Sequence, residues 1–343
     1  MQTDTHDAPI GMILAAGFGT RMRPLTEALP KPLIPFLNTP IIAYTLDHLI
    51  RAGVRHVGVN THHLGHLIRP AVEAIAEALR PATGDLRLTF VHEEAIRGTA
   101  GGVAGLWRAM GCPAQTTIAV NGDALAGLDL RAALADHRAC GAAASLIARP
   151  TDGAHPGGLW ADAEGRVVGL RGEGDRSGAE LDFMGFHLIE PRLMPAVLRA
   201  ADAQASACMV ADVYTALLGT EDAPVAHVDE RFWIAVDTPA LLMKATRAVL
   251  DDPSIFPQAP LSPGGLTLAN PGAIDDKALF AQPAFVGALA SVGPRARVGP
   301  YAVVDGTALA PGAVVERAIL FGMGSVEGTW RDCVAINGKI APL

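Results

Sequence analysis

The stretch Gly11-Met12-Ile13-Leu14-Ala15-Ala16-Gly17-Phe18-Gly19-Thr20-Arg21 runs from small and apolar residues into a glycine-rich turn that ends on an arginine. The apolar part reads as a buried strand. Just beyond it, Gly17 and Gly19 let backbone N–H groups come close to anionic oxygens. Downstream, Pro40 opens a helix over 41–52 that Gly53 closes, with Pro at the start and Gly past the end. Ile42, Leu46, Leu49 and Ile50 mark its apolar face. Strand-like runs follow at 54–60, 86–91, 117–120 and 142–148, and helix-like runs at 64–79, 102–110 and 128–139. This alternation predicts crossover units and a mainly parallel sheet. In such sheets ligands gather at the carboxyl ends of the strands.

From about Pro150 the rhythm changes. A hairpin is expected over 159–168 with Glu164-Gly165 at its turn, then a strand at 183–189 and helices at 191–200, 213–218 and 239–250. The stretch 251–263 is Pro-rich and aperiodic, and reads as linker. Beyond Phe285 a repeat begins: Val286, Val292, Val298 and Val304 lie six residues apart, and glycine follows the first three. Leu309, Val315 and Phe321 continue the series after one five-residue step. One inward aliphatic per flat side is the mark of a left-handed parallel β-helix. The expected domains are a catalytic α/β domain over 10–250, a linker over 251–284 and a hexapeptide-repeat domain over 285–343.

Composition narrows the function. The 343 residues include 27 Lys+Arg and 35 Asp+Glu, a formal net charge of −8, and half are hydrophobic. That apolar content excludes intrinsic disorder. The acidic balance argues against nucleic acid or anionic membranes as partners. No apolar run approaches the roughly 18 residues needed to span a bilayer. Cys112, Cys140, Cys208 and Cys333 stand far apart and suit free thiols in a reducing compartment. The polar Met1–Pro9 segment is unlike a signal peptide. A cytoplasmic protein is therefore expected. The Gly-x-Gly turn fits neither a dinucleotide fingerprint, because Met22 stands where the third glycine belongs, nor a Walker loop.

The string from Gly17 to Pro32 resembles the signature G-x-G-T-R-x-x-P-x-T-x-x-x-P-K-P of the sugar-1-phosphate nucleotidyltransferases, and every fixed position is met. Glu93-Glu94-Ala95-Ile96-Arg97-Gly98-Thr99-Ala100-Gly101 is similar to the family's E-x-x-x-L-G-T-A-G, with Arg97 at a position that is usually apolar. Asn121-Gly122-Asp123 resembles its strand-end N-G-D, Met184-Gly185-Phe186 lies in a stretch like its sugar-side M-x-G strand, and Trp233 to Pro239 resembles W-x-D-x-G-T-P. The likeness covers about 10–250, and a hexapeptide tail is a frequent companion.

The resemblance implies an α/β fold: a Rossmann-like (GT-A type) mixed, mainly parallel sheet flanked by helices, followed by the β-helix. The implied reaction joins an NTP and a sugar 1-phosphate into a nucleotide-sugar and pyrophosphate. Leu14, Ala15, Gly17, Gly19, Thr20, Glu93, Gly98 and Thr99 would hold the nucleotide, and Arg21 the triphosphate. Lys31 would neutralise the α-phosphate and the sugar phosphate, and Asp123 would bind Mg²⁺. Gly158 and Gly185 would leave room for the sugar. Within the family, Gly98 to Gly102 and the tail look most like mannose-1-phosphate guanylyltransferases. The run Asn60 to Gly65 is similar to N-acetylmuramate-1-phosphate uridylyltransferases. The β-helix is expected to mediate a homo-oligomer.

The chain departs from the family pattern at three places. The second metal carboxylate of W-x-D is Ala235 here, and Asp237 stands where glycine is usual. Two positions along a strand return to the same face, so either Asp237 reaches the same ion or that ligand is lost. An expected lysine after the hairpin is missing, leaving Arg171 as a candidate substitute at the sugar phosphate, although arginine and lysine are not equivalent there. These losses leave open a nucleotide-sugar-binding regulatory subunit without turnover. A cytidylyltransferase acting on a phosphorylated alcohol such as phosphocholine is a third reading, weakened by the few aromatics. His62 and His66 fit a metal pair on one helix face or a solvated, nucleotide-facing helix end.

Overall fold

The opening apolar run forms strand β1 (Ile10–Ala15), which in the computed structural model lies in the middle of a mixed sheet. The structure describes residues 8–151, 158–262 and 264–343. The N-terminal segment read as a polar tail lies outside them up to Asp7, as does Pro263 of the expected linker. Two compact units emerge. One runs to Gly17 and resumes over Ile42–Trp233; the other comprises Phe18–Ile41 and Ile234–Leu343.

In the first unit α1 (Ile41–Arg51) carries the chain from β1 to β2 (His56–Thr61), and Ile42, Leu46, Leu49 and Ile50 are all buried, as their spacing predicts. Helix α2 (Gly65–Thr83) leads to β3 (Arg87–His92), and α3 (Gly98–Ala109) to β4 (Thr117–Asn121). Strand β1 pairs in parallel with β2 on one side and β4 on the other, so that Ile13 faces both Val59 and Val120. The chain order reverses at β1, which makes its carboxyl end a topological switch point.

The rest of the sheet is antiparallel in part. Helix α4 (Leu130–Cys140) is capped by the Asp129 carboxylate, which accepts from the N–H groups of Arg131 and Ala132. It leads to β5 (Ala144–Pro150). The hairpin β6 (Gly158–Ala161) and β7 (Val167–Leu170) forms as expected, and β8 (Ala179–Ile189), which α5 (Met194–Ala203) follows, runs antiparallel to β4, β5 and β6. The small residues Ala100, Val103 and Ala104 of α3 pack with Met12 and Ala119 in one buried cluster.

Local chemistry accounts for two differences from the sequence reading. The third helix starts at Gly98, not Gly102, because contacts to the 207–209 segment organise its glycine-rich first turn. The helix expected over 213–218 is replaced by a wide π-type turn over Met209–Tyr214 and a 3₁₀ turn to Leu217. Asp212 accepts from the Cys208 N–H, and Tyr214 is buried with its hydroxyl 3.1 Å from His187 Nδ1. Burial holds the His187 imidazole down at about 3, so it stays neutral.

In the second unit the hexapeptide repeat becomes a parallel coil. Leu266 faces Ala284, which faces Ala302, so one turn takes eighteen residues, or three hexapeptides. Val286, Val292, Val298, Val304, Leu309 and Val315 share one core. Phe321 does not: Leu320 takes the interior place, facing Val304. Val315 to Leu320 is thus a second five-residue step; beyond a register shift at Asp305–Thr307 the partner lies one residue further on, Thr307 facing Gly324. The coil also starts earlier than Phe285, since Leu266–Leu268 and Leu279–Phe280 pair in it within the segment read as linker. Helix α6 (Pro239–Asp251) lies against the later turns, where Tyr301 donates to Asp251 and stacks beneath Arg247.

At Gly287 the coil approaches itself so closely that an added Cβ would lie 2.2 Å from Asp305 Oδ1, which also accepts from the Leu289 N–H. Gly287→Ala is expected to destabilise this unit by about 1–3 kcal/mol, read as a lower urea midpoint. An unchanged midpoint contradicts this packing.

Candidate active site

The second unit carries the signature loop. Gly19 adopts a left-handed conformation with φ +61° and caps the 3₁₀ turn Thr20–Met22, whose Met22 side chain is buried. A side chain there would meet Thr26 at 2.9 Å and Lys31 Cβ at 3.1 Å, so glycine lets the loop close on both. Thr26 donates its hydroxyl to the Gly19 carbonyl at 2.9 Å. Lys31 lies in its own 3₁₀ turn, Lys31–Leu33, and donates to Asp237 Oδ1 at 2.5 Å. The Arg21 guanidinium reaches the same oxygen at 2.9 Å. Asp237 stands just before α6, whose Thr238 hydroxyl accepts from the Leu241 N–H. Lys339 of the coil's last hairpin pairs with Glu27 at 2.8 Å and holds the far side of the loop.

In the first unit, side chains tie the strand ends together. Ala15 N–H donates to Asn60 Oδ1 at 2.8 Å, Asn60 Nδ2 donates to Glu93 Oε1 at 2.7 Å, and Arg97 N–H donates to Glu93 Oε2 at 2.9 Å. Glu93 is 5% exposed. Its carboxylate thus links the ends of β1, β2 and β3 to the entry of α3. Gly98 has φ +73°, and a Cβ there would lie 2.3 Å from the Ala207 carbonyl. The Thr99 hydroxyl accepts from the Met209 N–H at 2.7 Å, and Ala100 N–H donates to Ala207 at 2.8 Å. Glu93, Gly98 and Thr99 therefore shape the segment through protein contacts of their own. Next to it lies a cavity of about 350 Å³ lined by His92, Glu93, Arg97, Gly101 and Gly105.

The remaining expected residues fall as follows. Gly122 N–H donates to Leu14 at the end of β1, which places Asp123 directly beyond the switch point. A Cβ at Gly17 meets no described atom within 4 Å. Gly185, with φ +83°, lies in the irregular stretch of β8 against Asn121, and Trp233 Nε1 donates to the neighbouring Met184 carbonyl. Gly158 begins β6 and accepts through its carbonyl from the Arg171 N–H. His62 precedes α2 while His66 lies within it, so the two do not share a helix face. His62 Nδ1 donates to the Glu93 carbonyl at 2.7 Å. The sequence reading missed Asn60 as a structural link, although a lone amide ending an apolar strand was its visible signal.

The donor chemistry suits magnesium at Asp123. Mg²⁺ takes hard oxygen ligands, typically one or two carboxylates completed by substrate phosphates and water. Among the described residues no three His, Cys, Asp or Glu side chains gather into a cage. Asp237 is a poorer donor as placed, because one of its oxygens already receives two cations.

A loop that presents lysine and arginine side by side suits the oxygens of a phosphate. The chain belongs to the nucleotidyl transferase family, whose model matches residues 10–251. It is similar to the mannose-1-phosphate guanylyltransferase of Mycobacterium tuberculosis, with 28% identity over 319 residues, 92% of this chain and 85% of that protein. The catalytic subunit beta of mannose-1-phosphate guanylyltransferase from Danio rerio is 38% identical over 93 residues, 27% of this chain and 24% of the relative. A UTP–glucose-1-phosphate uridylyltransferase from Synechocystis is 34% identical over 142 residues, 40% and 36% of the two chains. No described helix is long and apolar enough to cross a membrane.

Asn60→Ala leaves the Ala15 N–H and one Glu93 oxygen without their partner. It should cost about 1–3 kcal/mol or more in urea unfolding, and an effect below 0.5 kcal/mol would mean that the link carries no load.

Proposed function

We propose that the chain transfers a nucleotidyl group from GTP to mannose 1-phosphate, releasing pyrophosphate. The observation that carries this reading is the relative from M. tuberculosis, whose alignment takes in both the α/β portion and the hexapeptide coil. The four cysteines are unpaired, in keeping with a cytoplasmic enzyme.

In this reading the sugar phosphate oxygen attacks the α-phosphorus in line. The new O–P bond forms as the bond to the β-phosphate oxygen breaks, and pyrophosphate carries away the electron pair. Little covalent chemistry is asked of the protein; positioning and charge neutralisation do the work. Leu14, Ala15 and the Gly17-to-Thr20 backbone hold the nucleotide. Arg21 receives the leaving pyrophosphate, and its planar fork suits two phosphate oxygens at once. Lys31, a compact charge on a packed stem, neutralises the α-phosphate and the incoming sugar phosphate. Asp123 would hold Mg²⁺, which when bound offsets charge on the phosphate oxygens. Glu93, Gly98 and Thr99 act on the nucleotide through the shape of the 93–102 segment. Gly158, Gly185 and Arg171 border the sugar.

Incubation with Mg²⁺, GTP and mannose 1-phosphate should release pyrophosphate, faster than with UTP, dTTP, CTP or ATP. Asp123→Asn should lower kcat/KM by roughly a hundredfold or more with the fold intact by circular dichroism. Silence of a folded sample across a panel of triphosphates and sugar 1-phosphates would sink the enzyme reading in favour of a binding subunit. A faster reaction with UTP would move the assignment to a uridylyltransferase.

We further propose that the outer surface of the coil, where Leu279 is exposed on a strand and Leu289 at a turn, joins copies of the chain. Light scattering should give a multiple of the 35.6 kDa chain mass, and a monomer at micromolar concentration contradicts this.

A further inference from the structure

Asp237 occupies a position where the family pattern has glycine, while the carboxylate expected two residues earlier is absent at Ala235. An acid displaced by two residues invites the reading of a shifted metal ligand. The contacts of Asp237 point elsewhere. A single oxygen, Oδ1, receives Lys31 Nζ at 2.5 Å and Arg21 Nη2 at 2.9 Å. A divalent cation on that oxygen would be a third positive centre at contact distance and would have to expel one of the other two. What a carboxylate oxygen between lysine and arginine does reproduce is a phosphate oxygen, the anion both side chains are suited to hold.

The three side chains differ in freedom. Lys31 is 10% exposed and Asp237 20%, whereas Arg21 is 68% exposed. The lysine stem is packed where the loop closes at Gly19, and Asp237 is fixed by the capped start of α6. Arg21 lies mostly in solvent and can leave without opening the loop.

We infer that Asp237 is an internal counter-ion, not a metal ligand: it orients Lys31 and occupies Arg21 until a polyphosphate displaces it from the arginine. The inference rests on the proposed phosphate-binding role of Arg21 and Lys31. Asp237 is then a positioning residue whose charge competes with substrate. Removing that charge strengthens metal-free polyphosphate binding, whereas removing a metal ligand weakens metal-dependent binding.

The test uses the full-length chain and inorganic pyrophosphate in calorimetry, first in EDTA and then with Mn²⁺. Asp237→Asn is expected to bind pyrophosphate about tenfold more tightly than the wild type in EDTA, equivalent to about 1.4 kcal/mol. Its Mn²⁺ affinity in the presence of pyrophosphate should stay within about twofold of the wild type. Combining it with Arg21→Ala should erase the gain. Asp237→Gly, which restores the residue common in the family, serves as a second variant with the same expectation should the asparagine protein misfold. Equal or weaker binding in EDTA by the folded variant overturns the inference while leaving the phosphate-binding role in place. A tenfold loss of Mn²⁺ affinity overturns it in favour of a metal ligand. Absence of pyrophosphate binding by wild type and variant alike overturns both the inference and the role proposed for Arg21 and Lys31.

Discussion

The buried carboxylate of Glu93 is the interaction on which the α/β unit's working end depends. A charge in that position is tolerated only when hydrogen bonds replace the water it has lost. Asn60 and the Arg97 N–H supply them, and Asn60 in turn fixes Ala15. Three parallel strands and one helix entry are therefore set relative to one another by side-chain amide and carboxylate geometry. Apolar packing alone would leave the loops beyond the strands free to slide. The polar link turns a hydrophobic sheet into one with a defined rim.

The signature loop follows a parallel logic in the other unit. Its glycine, threonine and lysine are as much a folding unit as a binding motif. Gly19 closes on Thr26 and Lys31, Thr26 ties the turn back to Gly19, and Lys31 leaves its turn aimed at Asp237. In the proposed reading, charge is thereby presented to a phosphate on backbone that is already organised, which lowers the ordering cost when a ligand arrives.

Much of the fold was legible because its periodicities are strong. The apolar face of the first helix, Ile42 to Ile50, and the valines from 286 to 304 declare their partners by spacing alone. What escaped was decided at a distance. Helix α3 begins in a glycine-rich run that intrinsic propensity disfavours, and the order comes from Ala207 and Met209, more than a hundred residues away. The five-residue step from Val315 to Leu320, which sets Leu320 opposite Val304, breaks the six-residue count and so has no periodic signal. Among the proposed site residues, Arg21 and Lys31 could be named from the string, but the ion pairs that join them to Asp237 could not, because those contacts span some two hundred positions.

The hairpin that ends the coil has a consequence of its own. The strand Thr329–Ile336 turns at Asn337-Gly338 and is paired by Lys339–Pro342 running the opposite way. A parallel coil is by nature a self-template: each turn offers the next an edge of matching polarity, and nothing intrinsic tells it to stop. Reversing the last strand presents an edge of the wrong direction, so a further turn, from this chain or a neighbour, finds no register to copy. The coil thus carries its own terminator against endless end-to-end growth.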